Sequence, residues 1–199
     1  MLDREEDQNR AMAIAEPILA GLHGVLSDSV SFYFGDAYTA AARADHTVRA
    51  VANCIYSHAE KRVATLAEAT EGLSIIDVRS LRVANYRDQG LFRFKLVKPN
   101  GRHSNYQTKQ QRNYDDQKSF PEFPEPAIRL TVGYELDEAG AGLKGIMIAR
   151  PIGRSVLWTA QVILDAGVAR WENTTPARFG STEAIDFDAD RVRSRRRGG

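Results

Sequence analysis

The hydrophobic period of this chain changes once, at Gly72, and that change limits what it can fold into. Before it, Ile14, Ile18, Leu22 and Leu26 recur four apart, with Ala15, Leu19 and Val25 widening the stripe. After it, apolar residues alternate with polar ones, as in Phe92, Phe94 and Leu96. The first spacing buries one side of a helix and the second one face of a strand. A chain that segregates the two must cover a sheet with helices from a single stretch of sequence, which is an α+β arrangement.

The helical half has two amphipathic segments. One runs from Asp3 to about Leu26, with Pro17 expected to kink it or start it, because proline lacks an amide hydrogen. The other is capped by Asp45 or Thr47 and aligns Val48, Val51, Ala52, Ile55, Ala59, Val63 and Leu66 on one face. Their closeness predicts an antiparallel helical hairpin within residues 1–72. Strand candidates follow at Leu73 to Val78, Leu81 to Tyr86, Leu91 to Val97, Ile128 to Leu136, Leu143 to Ala149 and Val156 to Leu164. We expect residues 73–165 to form an antiparallel sheet of about five strands, in one compact domain with the hairpin. Residues 166–199 read as irregular, ending in a basic tail too rich in arginine to order itself.

One stretch resists this scheme. Pro99-Asn100-Gly101 breaks a strand, and the chain then stays polar through a loop expected at 99–126. Between Gly90 and Lys118, Arg93, Lys95, Lys98, Arg102, Lys109, Arg112 and Lys118 are answered only by Asp115 and Asp116. A connection this long is uncommon unless it has a function. A surface of this kind suits partner docking through Arg102, His103, Asn105, Tyr106, Lys109, Arg112 and Tyr114, since arginine and tyrosine are favoured anchors. The alternative is nucleic acid, with Lys98, Lys118 and the tail residues Arg195, Arg196 and Arg197 on phosphates and a tyrosine stacked on a base. Asp116-Gln117-Lys118 also matches the acid-x-lysine pair of metal-dependent nucleases, which requires a second acid beside it.

The other motifs read as structural. Gly140-Ala141-Gly142-Leu143-Lys144-Gly145 fits a dinucleotide fingerprint in letters, but strand-like Ile146, Met147 and Ile148 follow where that fingerprint needs a helix. Cys54 and His58 share a helix face with no orienting acid nearby, so a packing role is expected. The four histidines show no metal spacing, and no cofactor motif is present. The single cysteine rules out an intrachain disulfide and suits a reducing compartment. The charged start and the lack of a long apolar run predict a cytoplasmic protein with no membrane span.

Some residues form a familiar pattern: Gly90-Leu91-Phe92-Arg93-Phe94-Lys95, Ser104-Asn105 with Thr108, then Gln117, Val132-Gly133-Tyr134 and Trp158. Over roughly residues 48 to 160 the chain resembles small proteins of actinobacterial and phage-like mobile elements. These are encoded beside regulators or toxins with a zinc-peptidase-like domain, and some act as antitoxins. The resemblance implies a binding protein without catalytic residues, whose partner is a toxin or regulator encoded nearby. The expectation is therefore a non-catalytic, regulatory, antitoxin-like module that docks a protein through residues 99–118, with nucleic-acid binding or a metal-dependent nuclease as alternatives.

Overall fold

The computed structural model describes residues 3–78, 81–103, 108–119, 121, 123–125 and 127–176. Helix α1 (Arg4–Ala15) opens on a capping box, in which Asp3 and Glu6 satisfy each other's backbone amides. Pro17 interrupts the helical run as expected, through a 3-10 turn at Glu16–Ile18, before α2 (Leu19–Phe32) continues it. After a π-helical turn at Tyr33–Ala37 and the short α3 (Ala40–Ala44), Thr47 accepts a hydrogen bond from the Ala50 amide and starts α4 (Val48–Ala69). Of its expected inner face, Ile55, Ala59 and Val63 are buried, but Val48, in the first turn, is exposed.

Helices α2 and α4 run antiparallel. Gly21 near the start of α2 lies against Leu66 near the end of α4, while the Phe32 ring, at the end of α2, meets His58 edge-on. A Cβ on Gly21 would lie 2.6 Å from Leu66 Cδ1, so glycine is what lets the helices come this close.

The sheet has seven strands in sequence order: β1 (Leu73–Val78), β2 (Leu81–Tyr86), β3 (Gly90–Leu96), β4 (Ile128–Leu136), β5 (Leu143–Ile152), β6 (Ser155–Asp165) and β7 (Val168–Asn173). This corrects the expectation of about five strands, and of an irregular segment from residue 166. Strand β7 is a mostly exposed edge strand that turns only Ala169 and Trp171 towards the core, so its alternation is weak in sequence. It is reached through a two-residue turn at Ala166-Gly167, both at positive φ, where alanine is an unusual choice.

The pairing is antiparallel throughout except for β3 and β4, which are parallel. Two parallel neighbours cannot be joined by a hairpin, so the chain must cross over. The long polar stretch is that crossover. It carries α5 (Lys109–Asp115), which is capped by Thr108.

Period-two alternation then separates two cores. Phe92, Phe94, Leu130, Val132, Ile146, Ile148 and Ala160 face the helices. Val83 and Leu91 face the other way and pack with Tyr114 and Phe123 of the crossover. Helix α1 is tied to the sheet by Asp7, whose carboxylate accepts from Trp158 Nε1 at 2.7 Å and lies 3.2 Å from Arg150 Nε. Among the described residues, no helix is long and apolar enough to cross a membrane.

Candidate functional site

The crossover starts with a tight turn. The amide of Gly101 donates to the Lys98 carbonyl, and Gly101 has φ +74. A Cβ at Gly101 would sit 2.6 Å from Thr159 Cγ2 and 3.1 Å from Ala149 Cβ. Glycine thus permits both the backbone conformation and the approach of the turn to the sheet. Arg102 then reaches across to the β5–β6 hairpin, donating from Nη2 to the Arg154 carbonyl at 2.8 Å.

The far end of the crossover is fastened by α5. The Tyr114 hydroxyl lies 2.7 Å from the carbonyl oxygens of both Leu91 and Leu130. The Gly153 amide donates to the Asp115 carbonyl at 2.9 Å. Gln117, at φ +55, donates through its side-chain amide to the Arg129 and Pro151 carbonyls, both at 3.1 Å. Arg129 is buried, donates to the carbonyls of Asn113 and Lys118, and packs over the Phe123 ring. The segment is therefore built onto the sheet, with its inward polar groups bonded largely to the backbone of β3, β4 and β5.

Beneath it lies a buried ion pair. Arg93 bonds to Asp115, with side-chain exposures of 1% and 3%. The guanidinium also donates from Nε to Thr131 Oγ1 at 3.0 Å, lies over the Tyr114 ring, and contacts His103 Nε2 through Nη2. Arginine has no acceptor, so Nε2 must carry a lone pair at that contact, and the proton of a neutral imidazole is then on Nδ1. Burial lowers the His103 pKa, as do Arg93 and Lys95, while Asp115 opposes them. A neutral ring agrees with that balance. In this tautomer His103 offers a proton rather than taking one, which is the wrong polarity for a general base.

Between the crossover and the β5–β6 hairpin is a cleft of about 290 Å³, lined among others by Arg102, His103, Asp115, Thr131, Arg154 and Ser155.

The residues singled out from sequence separate into two groups. Lys98, Arg102, Lys109, Arg112 and Lys118 are exposed on the crossover. Tyr114 is fully buried, which removes it as a docking or stacking residue, and His103 is mostly buried. Asn105, Tyr106, Arg195, Arg196 and Arg197 lie outside the described residues. Asp116 pairs with Lys118 at 2.8 Å, and among the described residues no group of three histidine, cysteine or carboxylate side chains could hold a metal ion. Cys54 interacts with Tyr38, whose phenol pKa it raises, while the His58 ring packs against Phe32. The glycines at 140 to 145 join β4 to strand β5 rather than to a helix.

Sequence reasoning missed Arg93, Asp115, Thr131 and Arg154 as a group. They lie far apart along the chain, and the parallel pairing of β3 with β4 brings Arg93 opposite Thr131. Comparison with known proteins gives no match to a family model, a curated protein or a solved structure.

Lys95 gives this region a measurable pH response. Burial, with help from Arg93, lowers its pKa to about 8 against an ordinary 10.5. Between those values the unfolded chain holds more protons than the folded one, so stability rises with pH. Buried Tyr56, Tyr114 and Tyr134 have raised pKa values, and they reverse the slope only above about pH 10, where unfolded tyrosine ionises. Urea unfolding should therefore show about 2 kcal/mol more stability at roughly pH 9.5 than at pH 7 from this group. Lys95→Met should flatten the rise. An equal rise in the variant would assign it to another group.

Proposed function

We propose that this protein is a non-catalytic docking module, regulatory or antitoxin-like in role, that binds an acidic protein surface through the outer side of the β3–β4 crossover. One observation supports this most. The crossover exposes Lys98, Arg102, Lys109 and Arg112, while of its acids Asp115 is buried and committed to Arg93 and Asp116 pairs with Lys118. The inner residues fix the backbone, and the outer cations are left for a partner of opposite charge. Rigid presentation of this kind lowers the ordering cost of association, and complementary charge raises the on-rate. The antitoxin-like role rests on the sequence resemblance alone. The free thiol of Cys54 suits a reducing compartment such as the cytoplasm.

Nucleic acid is the weaker reading, because Tyr114 is in the core and cannot stack on a base. Fluorescence anisotropy with a polyglutamate peptide and with a single-stranded oligonucleotide, each at several salt concentrations, separates the two. Lys98→Ala/Lys109→Ala/Arg112→Ala should melt close to wild type, since exposed substitutions usually stay within about 0.5 kcal/mol each. Its peptide affinity should fall tenfold or more, which needs a combined loss of only about 1.4 kcal/mol. Tighter binding of the oligonucleotide, falling steeply and linearly in log salt, would favour nucleic acid. Equal binding of both probes by wild type and variant would remove the crossover from the function.

A further inference from the structure

The cleft beneath the crossover has a chemistry of its own, separate from the outer cations, none of which lines it except Arg102. Its polar groups are mostly donors. Arg102, Arg154 and Ser155 line its walls, two guanidinium-bearing residues and one that bears a hydroxyl. His103 lines it, and the nitrogen that carries the proton, Nδ1, is buried with no hydrogen-bond partner among the described residues. Behind it, Arg93 Nη1 is likewise buried and unpartnered, in a side chain only 1% exposed. The one carboxylate on the cleft, Asp115, is already bonded to Arg93. Arg102 and Arg154 on the cleft, with Arg93 behind, thus meet one carboxylate among the described lining residues. In a partly enclosed space, that excess of positive charge draws an anion that can accept several hydrogen bonds. The arginine fork matches the paired oxygens of a carboxylate or a phosphate.

We propose that the cleft is a binding site for the oxyanion group of a small molecule, a carboxylate or a phosphate, held by Arg102 and Arg154 with Ser155 and His103 completing the donor set. Its volume of about 290 Å³ suits a compact ligand. The β5–β6 hairpin and the Lys98–Arg102 turn supply the two walls, and the Arg102–Arg154 hydrogen bond spans them. This site shares Arg102 with the docking surface, whereas Lys98, Lys109 and Arg112 do not line it.

The test is a titration of the full chain with inorganic phosphate and, separately, with malonate, at constant ionic strength set by sodium chloride. Nitrogen NMR of the His103 ring reports its tautomer and its response. The free protein should show the Nδ1–H form, and one of the two anions should move the His103 signals in a saturable way while chloride does not. The anion that binds more tightly identifies the group. Arg154→Ala removes an exposed side chain and should fold normally. It should weaken binding about tenfold, the effect of one lost charge-assisted contact, whereas the Lys98/Lys109/Arg112 triple variant should bind the anion as wild type does. Absence of a saturable shift with both anions, a ring protonated on Nε2, or binding unchanged by Arg154→Ala would each overturn the assignment.

Discussion

Replacing Asp115 with alanine is expected to destabilise the protein by about 3–5 kcal/mol in urea unfolding, the usual cost of removing one partner of a buried ion pair. Melting temperature should fall by roughly 10 °C for a chain of this size. The reason is the state of Arg93. With 1% of its side chain exposed, it cannot turn to water. Without Asp115 it would keep Thr131 and a neutral imidazole as its side-chain hydrogen-bond partners, and neither carries a compensating charge. The main-chain bond from Gly153 to the Asp115 carbonyl survives the substitution, so the loss isolates the side chain. A second variant separates an unpaired charge from lost packing. Arg93→Met together with Asp115→Leu removes both charges and keeps apolar volume, and it should recover most of the stability, as buried pairs replaced by hydrophobic residues often do. A loss under about 1 kcal/mol for Asp115→Ala would place the pair in contact with water.

Ile55→Asp should cost more than 4 kcal/mol, in the range kept for buried unpaired charges. Ile55 is fully buried in the core between α4 and the sheet. In that apolar cluster the new carboxyl would have to stay protonated or open the core to water. Asn53→Asp is the matched control. It adds the same charge two residues away on the exposed side of the helix, and it should shift stability by no more than about 0.5 kcal/mol. Circular dichroism melts of the two variants side by side would decide the face of α4. Comparable losses would mean that the helix does not bury the Ile55 face.

These two residues mark the boundary between what is local and what is not. Ile55 could be placed from sequence because a helix face is a local property: Ile55, Ala59 and Val63 recur at the helical period, and their burial needs only some neighbour to cover them. The same holds for the Pro17 interruption, the Thr47 cap, and Phe92 and Phe94 on one side of β3. Phe92, Phe94, Val132, Tyr134 and Trp158 are likewise core.

The crossover could not be read this way. Its polarity suggested a surface loop, yet Tyr114 and Asp115 are buried with Arg93 of β3, because most of their polar atoms are satisfied by one another and by the backbone carbonyls of β3 and β4. Composition reports the cost of burying a polar group but says nothing of a partner 22 residues away, as Asp115 is from Arg93. Sequence by itself determined the α+β class, the helix faces and the strand alternation, because each repeats over a few residues. Only the tertiary structure decided the parallel β3–β4 pair, and with it the arginine-lined cleft. That pairing depends on which strands become neighbours, and no local period records it.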